Sequence, residues 1–463
     1  MMNVILVPAS EPRLKPARLP ARVPSAPPWG FPELFVISQT ALPAMLFIPG
    51  SQALRVFIRV GAYVISLLGL IWWWHSKRSQ RSGAQPAQFW LLGALAYLLL
   101  MLLHPATNNL KAGLAQIVLY LAVFAPMFWA PTLVRGPLHL TRLLVLLFIC
   151  NGVNSLVGVL QVYNPAVWMP AELSRVVIAS PYGLDAVSYI GPGGTRIIRP
   201  SGLFDTPGAV CGPAMITLLL GLMFSVSSTG LVKKLLASTL AMAGMAAIYL
   251  SHVRSSLIVA AIMVLASSGV LMFLQRERLK AMVLLGLFGF ILLVGFSFAV
   301  GLGGPSIHER FTSLFEETPL ELYYKSRGEQ LEYGFRTLLV EYPVGAGLGR
   351  WGMVNIHFAD PYNRKSSPIW AEVQPNAWII DGGLVLLVLY AGALGVNTWS
   401  QVRMVLAAET QAQRLLAVAV LAANTGTLAL IFSFTPFTSQ IGLQYWLLSG
   451  ALHGAVLQPK RGP

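Results

Sequence analysis

The sequence predicts an all-α integral membrane protein, and three observations carry that prediction. The 463-residue chain is 56% hydrophobic and only 11% charged, whereas a soluble domain carries about a quarter charged residues. Apolar runs longer than the ~18 residues that mark a spanning helix begin near Phe89, Leu138, Met215 and Met282. The lysines and arginines between such runs recur at alternate connections, as they do in polytopic proteins.

Residues 1–33 are rich in Pro and Arg and lack an apolar stretch followed by small residues. They are expected to form a disordered cytoplasmic tail, without a signal peptide. Twelve spans are then expected, near 34–49, 55–74, 88–104, 112–130, 138–161, 207–227, 235–250, 254–274, 281–303, 376–399, 413–433 and 439–457. The first is short and contains Pro43. With the N-terminus inside, the even-numbered connections hold Lys77, Arg78 and Arg81, then Arg135, then Lys233 and Lys234. Arg276, Arg278 and Lys280 follow, then Arg403 and Arg414, with Lys460 and Arg461 in the last segment. Basic residues collect in cytoplasmic loops, so both termini are expected in the cytoplasm. The net charge of +15 therefore gives no warrant for a nucleic-acid partner. Cys150 and Cys211 sit in apolar runs without partner spacing and suggest neither a disulfide frame nor a zinc site.

This count divides the chain into the tail, spans one to nine at 34–303, a loop at 304–375, and spans ten to twelve at 376–463. Two long segments, 162–206 and 304–375, fall on the outer side. The second holds nine of the seventeen acidic residues: Glu309, Glu316, Glu317, Glu321, Glu329, Glu332, Glu341, Asp360 and Glu372. Long loops in compact structures are usually functional. Ser326-Arg327-Gly328-Glu329 has the form of a capping box and is expected to start a helix. Leu331, Phe335, Leu338, Leu339 and Tyr342 follow at helical spacing, Glu332 and Arg336 form an i,i+4 pair, and Pro343 ends the run. Such an amphipathic helix would lie across the outer mouth of the bundle.

Arg199, Arg254 and Arg327 stand at outer ends of spans or at this helix start, with Arg196 nearby. A guanidinium is a planar donor fork suited to phosphate oxygens, and it stays charged. Each arginine alone could snorkel to lipid headgroups or pair with a glutamate; together they favour an anion site. Gly345-Ala346-Gly347-Leu348-Gly349 follows no strand and opens no clear helix, so it reads as a tight turn instead of a nucleotide loop. Glu372 and Asp381 bracket the start of the tenth span, with Gln374 and Asn376 between them. An acid there either supports the helix start or accepts a proton from an incoming hydroxyl. His357 and His308 are other candidate bases, though loop histidines are most often idle. Ser251-His252 has no acid spaced to complete a triad, so hydrolase chemistry is not expected. The four aspartates, Asp185, Asp205, Asp360 and Asp381, are isolated, and no D-x-D pair exists to hold a metal. Diphosphate recognition would then fall to arginine.

Four motifs occur in order: R-P-S-G-L-F (199–204), S-H-V-R-S-S (251–256), R-G-E-Q-L-E-Y-G-F with Y-P-V-G-A-G-L-G (327–349), and N-A-W-I-I-D-G-G (376–383). In that order and placement they resemble the bacterial O-antigen ligase and polymerase superfamily, closely over about residues 195–400. The resemblance implies a metal-independent, inverting transferase without a cofactor, in the bacterial inner membrane. Its donor would be an undecaprenyl-diphosphate-linked glycan and its acceptor a sugar hydroxyl at the periplasmic face, with a chain-length regulator as a possible partner. Arg199 and Arg327, with Arg254 and Arg196, would hold the diphosphate. Glu372 would serve as base, and Asn376, Asp381 and His357 would contact substrate. Ligases of the family carry a His just before the Asn of the last motif, where this chain has Pro375. That departure favours a polymerase over a ligase to lipid A-core or protein. A transporter is the alternative of another class; against it, the sequence holds no internal repeat and its ionisable groups gather at the outer face.

Overall fold

The computed structural model describes residues 28–76, 85–170, 172–173, 184–274, 277–316, 318–360, 362–363 and 367–456. The expected tail at 1–27, the basic residues Lys77, Arg78, Arg81, Arg276, Lys460 and Arg461, and Glu317 lie outside the described residues. A helix occupies each of the twelve segments marked in the sequence. These are α1 Phe31–Ala44, α2 Arg55–His75, α3 Pro86–Met101, α4 Leu110–Leu133, α5 Gly136–Tyr163 and α6 Cys211–Ser227. Then come α7 Leu231–Leu250, α8 Arg254–Phe273 and α9 Arg278–Gly303. Three loop helices follow, α10 Pro305–Glu316, α11 at 319–341 and α12 Gly352–Phe358. The last three are α13 Gln374–Ala407, α14 Gln411–Leu430 and α15 Gln440–Val456. Eight of them, α2, α4, α5, α7, α8, α9, α13 and α14, are long and apolar enough to cross a membrane. The chain is thus an all-α, membrane-embedded protein. A two-stranded antiparallel hairpin, β1 Ser188–Ile190 and β2 Arg196–Ile198, is the one sheet among the described residues.

Polar contacts far apart in sequence sort the helix ends into two groups. At one end, fully buried Glu33 accepts from Arg142 at 3.0 Å, with His139 Nε2 also 3.0 Å away, and Gln411 donates to Glu277 at 2.8 Å. At the other end, Arg55 and Arg59 grip buried Asp205, and the Gln161 amide holds Ser201 and Gly202. The sequence assigns residues 31–33 to the tail, but α1 begins at Phe31. Glu33 reaches back to the Gly30 N–H at 3.0 Å and caps the helix, which its burial against Arg142 and His139 makes a fixed start. The sixth span starts later than 207, because residues 201–210 turn instead of coiling, with Gly202 and Gly208 at φ 63° and 79°.

Helices α6 and α7 pack closely against each other. A Cβ on Gly221 would come within 2.8 Å of the Ala237 carbonyl, and one on Gly244 within 2.8 Å of the Ala214 carbonyl. Small residues let membrane helices approach this closely. The approach fixes the start of α6 beside the turn after α7, where Cys211 Sγ lies 3.0 Å from Ser251 Oγ.

The loop helix differs from expectation at its start and in its phase. It begins after Thr318, whose hydroxyl accepts from Glu321 N–H at 3.4 Å and donates to the Glu321 carboxylate at 2.8 Å. Ser326 lies inside the helix and donates to the Tyr323 carbonyl. Two π turns, at Tyr324–Gly328 and Gly334–Leu338, each insert an extra residue. The second rotates the helix so that Leu338 is buried while Phe335 is exposed. The Glu332–Arg336 pair forms as expected, at 2.6 Å.

Helix α13 breaks at Gly382 (φ −164°) and Gly383 (φ 59°). The 343–349 turn plugs the break: Leu384 N–H donates to the Pro343 carbonyl at 2.9 Å and Ala346 N–H to the Ile380 carbonyl at 2.7 Å. A Cβ on Gly347 would meet the Ala106 backbone at 2.4 Å. These glycines serve close backbone packing against the α3–α4 connection, α4 and α13, as a tight turn requires.

Candidate anion site

The site is built where the hairpin, the α7–α8 turn and α10 meet. Strand β2 pairs with β1, and the bond from Arg199 N–H to the Val187 carbonyl (2.9 Å) extends the pairing by one step. Side chains alternate along a strand, so Arg196 and Arg199, three apart, point to opposite faces. Arg199 turns inward and is half-buried, with its Nε buried and unpartnered. Arg196 is exposed, where it pairs with Asp185 and donates to Ser188 Oγ at 2.8 Å. Past Arg199 the chain is clamped. Gln161 Oε1 accepts from Ser201 and Gly202 N–H, both at 2.9 Å, and its Nε2 donates to the Gly202 carbonyl at 2.7 Å.

The α7–α8 turn supplies Arg254, which opens α8 and donates to Ser313 Oγ at 2.8 Å. Ser313 lies on α10, as does Arg310, whose Nε donates to the His252 carbonyl at 3.4 Å. His252 is buried and its ring stacks on Tyr189 of β1 with centroids 3.8 Å apart. Arg199 and Arg310 thus face one histidine, and Arg254 faces Arg310. Among the described residues, none of the three forms an ion pair with a carboxylate.

The electrostatics register that crowding. Burial, then the Arg254 and Arg199 charges, push the Arg310 guanidinium down to about 10. Burial also lowers Arg199. Burial, then Arg199 and Arg310, push the His252 imidazole down to about 3, so it is neutral. A concentrated positive field with no internal counter-charge is a receptor for an anion.

A second cluster lies at the same end. Arg327 on α11 forms an ion pair with Glu372, and its Nε donates to the Ser433 carbonyl just past α14 at 3.3 Å. Gln330 donates to Glu372 at 2.9 Å and its carbonyl accepts from Asn376 at 2.7 Å. The clusters share a base, because α8, which begins at Arg254, packs against α14. A narrow apolar groove lined by Gly212, Ile216, Met263, Thr427, Leu430 and Ile441 lies among α6, α8, α14 and α15.

The structure does not bring every expected residue to these clusters. Asn376 is buried under Gly334 and ties α13 to α11. Asp381 is fully buried, accepting from Tyr120 at 2.7 Å and Gln116 at 3.1 Å, because the glycine break folds 374–381 inward against α4. His357 is exposed on α12 with its ring edge-on to Phe358. His308 packs near Phe296. Conversely, sequence reasoning missed Arg310 and dismissed His252. The available signal for Arg310 was its place in the short segment after the long apolar run that ends at Gly303; His252 lacked a triad acid, which was the wrong test for a residue beside arginines.

No family model and no curated protein matches this chain. The functional reading therefore stands on the site and on the motif resemblance.

Proposed function

We propose that this chain is an inner-membrane glycosyltransferase that polymerises undecaprenyl-diphosphate-linked oligosaccharide repeat units at the periplasmic face. In this reading the twelve helices are membrane spans, both termini are cytoplasmic, and 304–375 is the large periplasmic loop. The observation that carries it is the gathering of half-buried Arg199, Arg254 and Arg310 without a carboxylate.

The acceptor hydroxyl oxygen attacks the anomeric carbon on the face opposite the diphosphate, and the bond from that carbon to the phosphate oxygen breaks. Glu372, oriented by Gln330, takes the hydroxyl proton. Undecaprenyl diphosphate leaves with the electron pair, and the guanidiniums meet its growing negative charge in a water-poor site. In this mechanism Arg327, now paired with Glu372, would turn to the diphosphate and leave Glu372 free to act as base. Pro375 opens α13 and offers no proton-accepting atom, which supports polymerase over ligase.

The test is the surface glycan profile. Arg199→Ala and Arg310→Ala abolish chain extension; unchanged glycan length and amount with normal protein levels would sink the diphosphate site. A deletion strain that leaves single repeats on the acceptor supports a polymerase. One that leaves long chains on the carrier identifies a ligase instead.

A further inference from the structure

We propose that His252 is a further ligand of the bound diphosphate, taking up a proton as the anion arrives and donating it through Nε2 to a phosphate oxygen. The inference rests on the diphosphate reading above. His252 is 4% exposed and its Nε2 is buried without a hydrogen-bond partner. Buried polar nitrogens are nearly always paired, and this unpaired one lies beside the Arg199 and Arg310 guanidiniums, where an anion would supply an acceptor.

The backbone agrees. His252 is the single non-glycine residue at positive φ (59°) among the described residues. Residues are held there only when their surroundings dictate it, and such residues cluster at functional sites. Here Ser251 Oγ accepts from Val253 N–H at 3.2 Å, Arg310 holds the His252 carbonyl, and Tyr189 stacks on the ring.

The groups that face the imidazole come from three elements: Tyr189 on β1 stacks on it, and the charges of Arg199 after β2 and Arg310 on α10 act on it. Behind them, Arg254 on α8 faces Arg310, and Cys211 at the start of α6 lies beside Ser251 and Arg199. Arg199 and Arg310 by themselves oppose a second proton on the ring. A diphosphate reverses the local field, and the doubly protonated ring then donates from both nitrogens. By linkage, proton and anion strengthen each other's binding by the same factor. The diphosphate gains a further negative charge as it leaves, and the protonated His252 is placed to meet it.

The experiment uses the purified full chain in detergent free of phospholipid, with inorganic pyrophosphate as the probe. Calorimetry in buffers of different ionisation heat counts the protons taken up on binding. The comparison is with His252→Asn, since Asn tolerates left-handed backbone and does not titrate. The wild type should take up a proton near neutral pH and lose affinity by up to about tenfold per pH unit relative to His252→Asn, whatever the probe's own titration. Equal uptake in both proteins, with binding intact and abolished by Arg199→Ala, overturns the role of His252 and leaves the arginine site standing. Absence of pyrophosphate binding in the wild type overturns both. A reading without substitution comes from ring-nitrogen NMR shifts in histidine-labelled wild type. One of the seven histidines turning to imidazolium on pyrophosphate addition supports the inference, and none doing so refutes it.

Discussion

Replacing Gln161 with leucine tests whether the clamp behind Arg199 positions it. The change roughly preserves side-chain volume and removes only the amide. Ser201 N–H, Gly202 N–H, the Gly202 carbonyl and the Trp168 carbonyl each lose a partner, the first three in a segment where Ser201 is fully buried. At about 1 kcal/mol for each group, even with partial rescue, the loss is about 3 kcal/mol. That corresponds to roughly a hundredfold shift toward states in which residues 199–204 leave their place. The effect stays local because Asp205 remains pinned by Arg55 and Arg59. The assays are thermal unfolding of the purified protein and glycan chain length in a complemented deletion strain. Activity should fall steeply while most of the bundle stays folded, and the defect should match that of Arg199→Ala. Wild-type activity together with wild-type protection of the 201–203 amides in hydrogen exchange would refute the reasoning.

Glu372→Gln keeps an acceptor for Gln330 but loses the ion pair and the base, so turnover should collapse while pyrophosphate affinity is retained; full activity removes Glu372 from the base role. Gly383→Ala forces a side chain at φ 59° to within 2.1 Å of the Pro343 carbonyl, and should cost folded yield. Gly269→Ala, with open space around its Cβ, should not, which fluorescence size-exclusion profiles will compare. The ligand-free protein should lose stability as pH falls. His252 sits at about 3 when folded against 6.5 unfolded, so between those values the unfolded chain binds the extra proton. The loss begins near 6.5 and grows by up to about 1.4 kcal/mol per pH unit toward 3. In His252→Asn this part of the acid limb should flatten; an identical limb would show that the imidazole is not held neutral by its neighbours.

The positions of the apolar helices, eight of them long enough to cross a membrane, were legible in the chain because such helices must satisfy their own backbone and present apolar side chains, a one-dimensional pattern. Arg199, Arg254 and Arg327 were legible as charges too costly to sit idle beside apolar runs. The Gly345–Gly349 turn was legible because only glycine tolerates such backbone. Other features depended on contacts between distant segments. Arg310 looks like any loop arginine until α10 folds against Arg254 and Arg199. Asp381 and Asn376 read as boundary residues until the Gly382–Gly383 break carries them inward against Tyr120 and Gly334. Phe335 has the spacing of a buried residue, and a π turn, which no periodicity announces, rotates it out. Sequence periodicity records which residues share one helix's face. Only packing decides which charges from the hairpin, the α7–α8 turn and α10 meet with nothing negative between them.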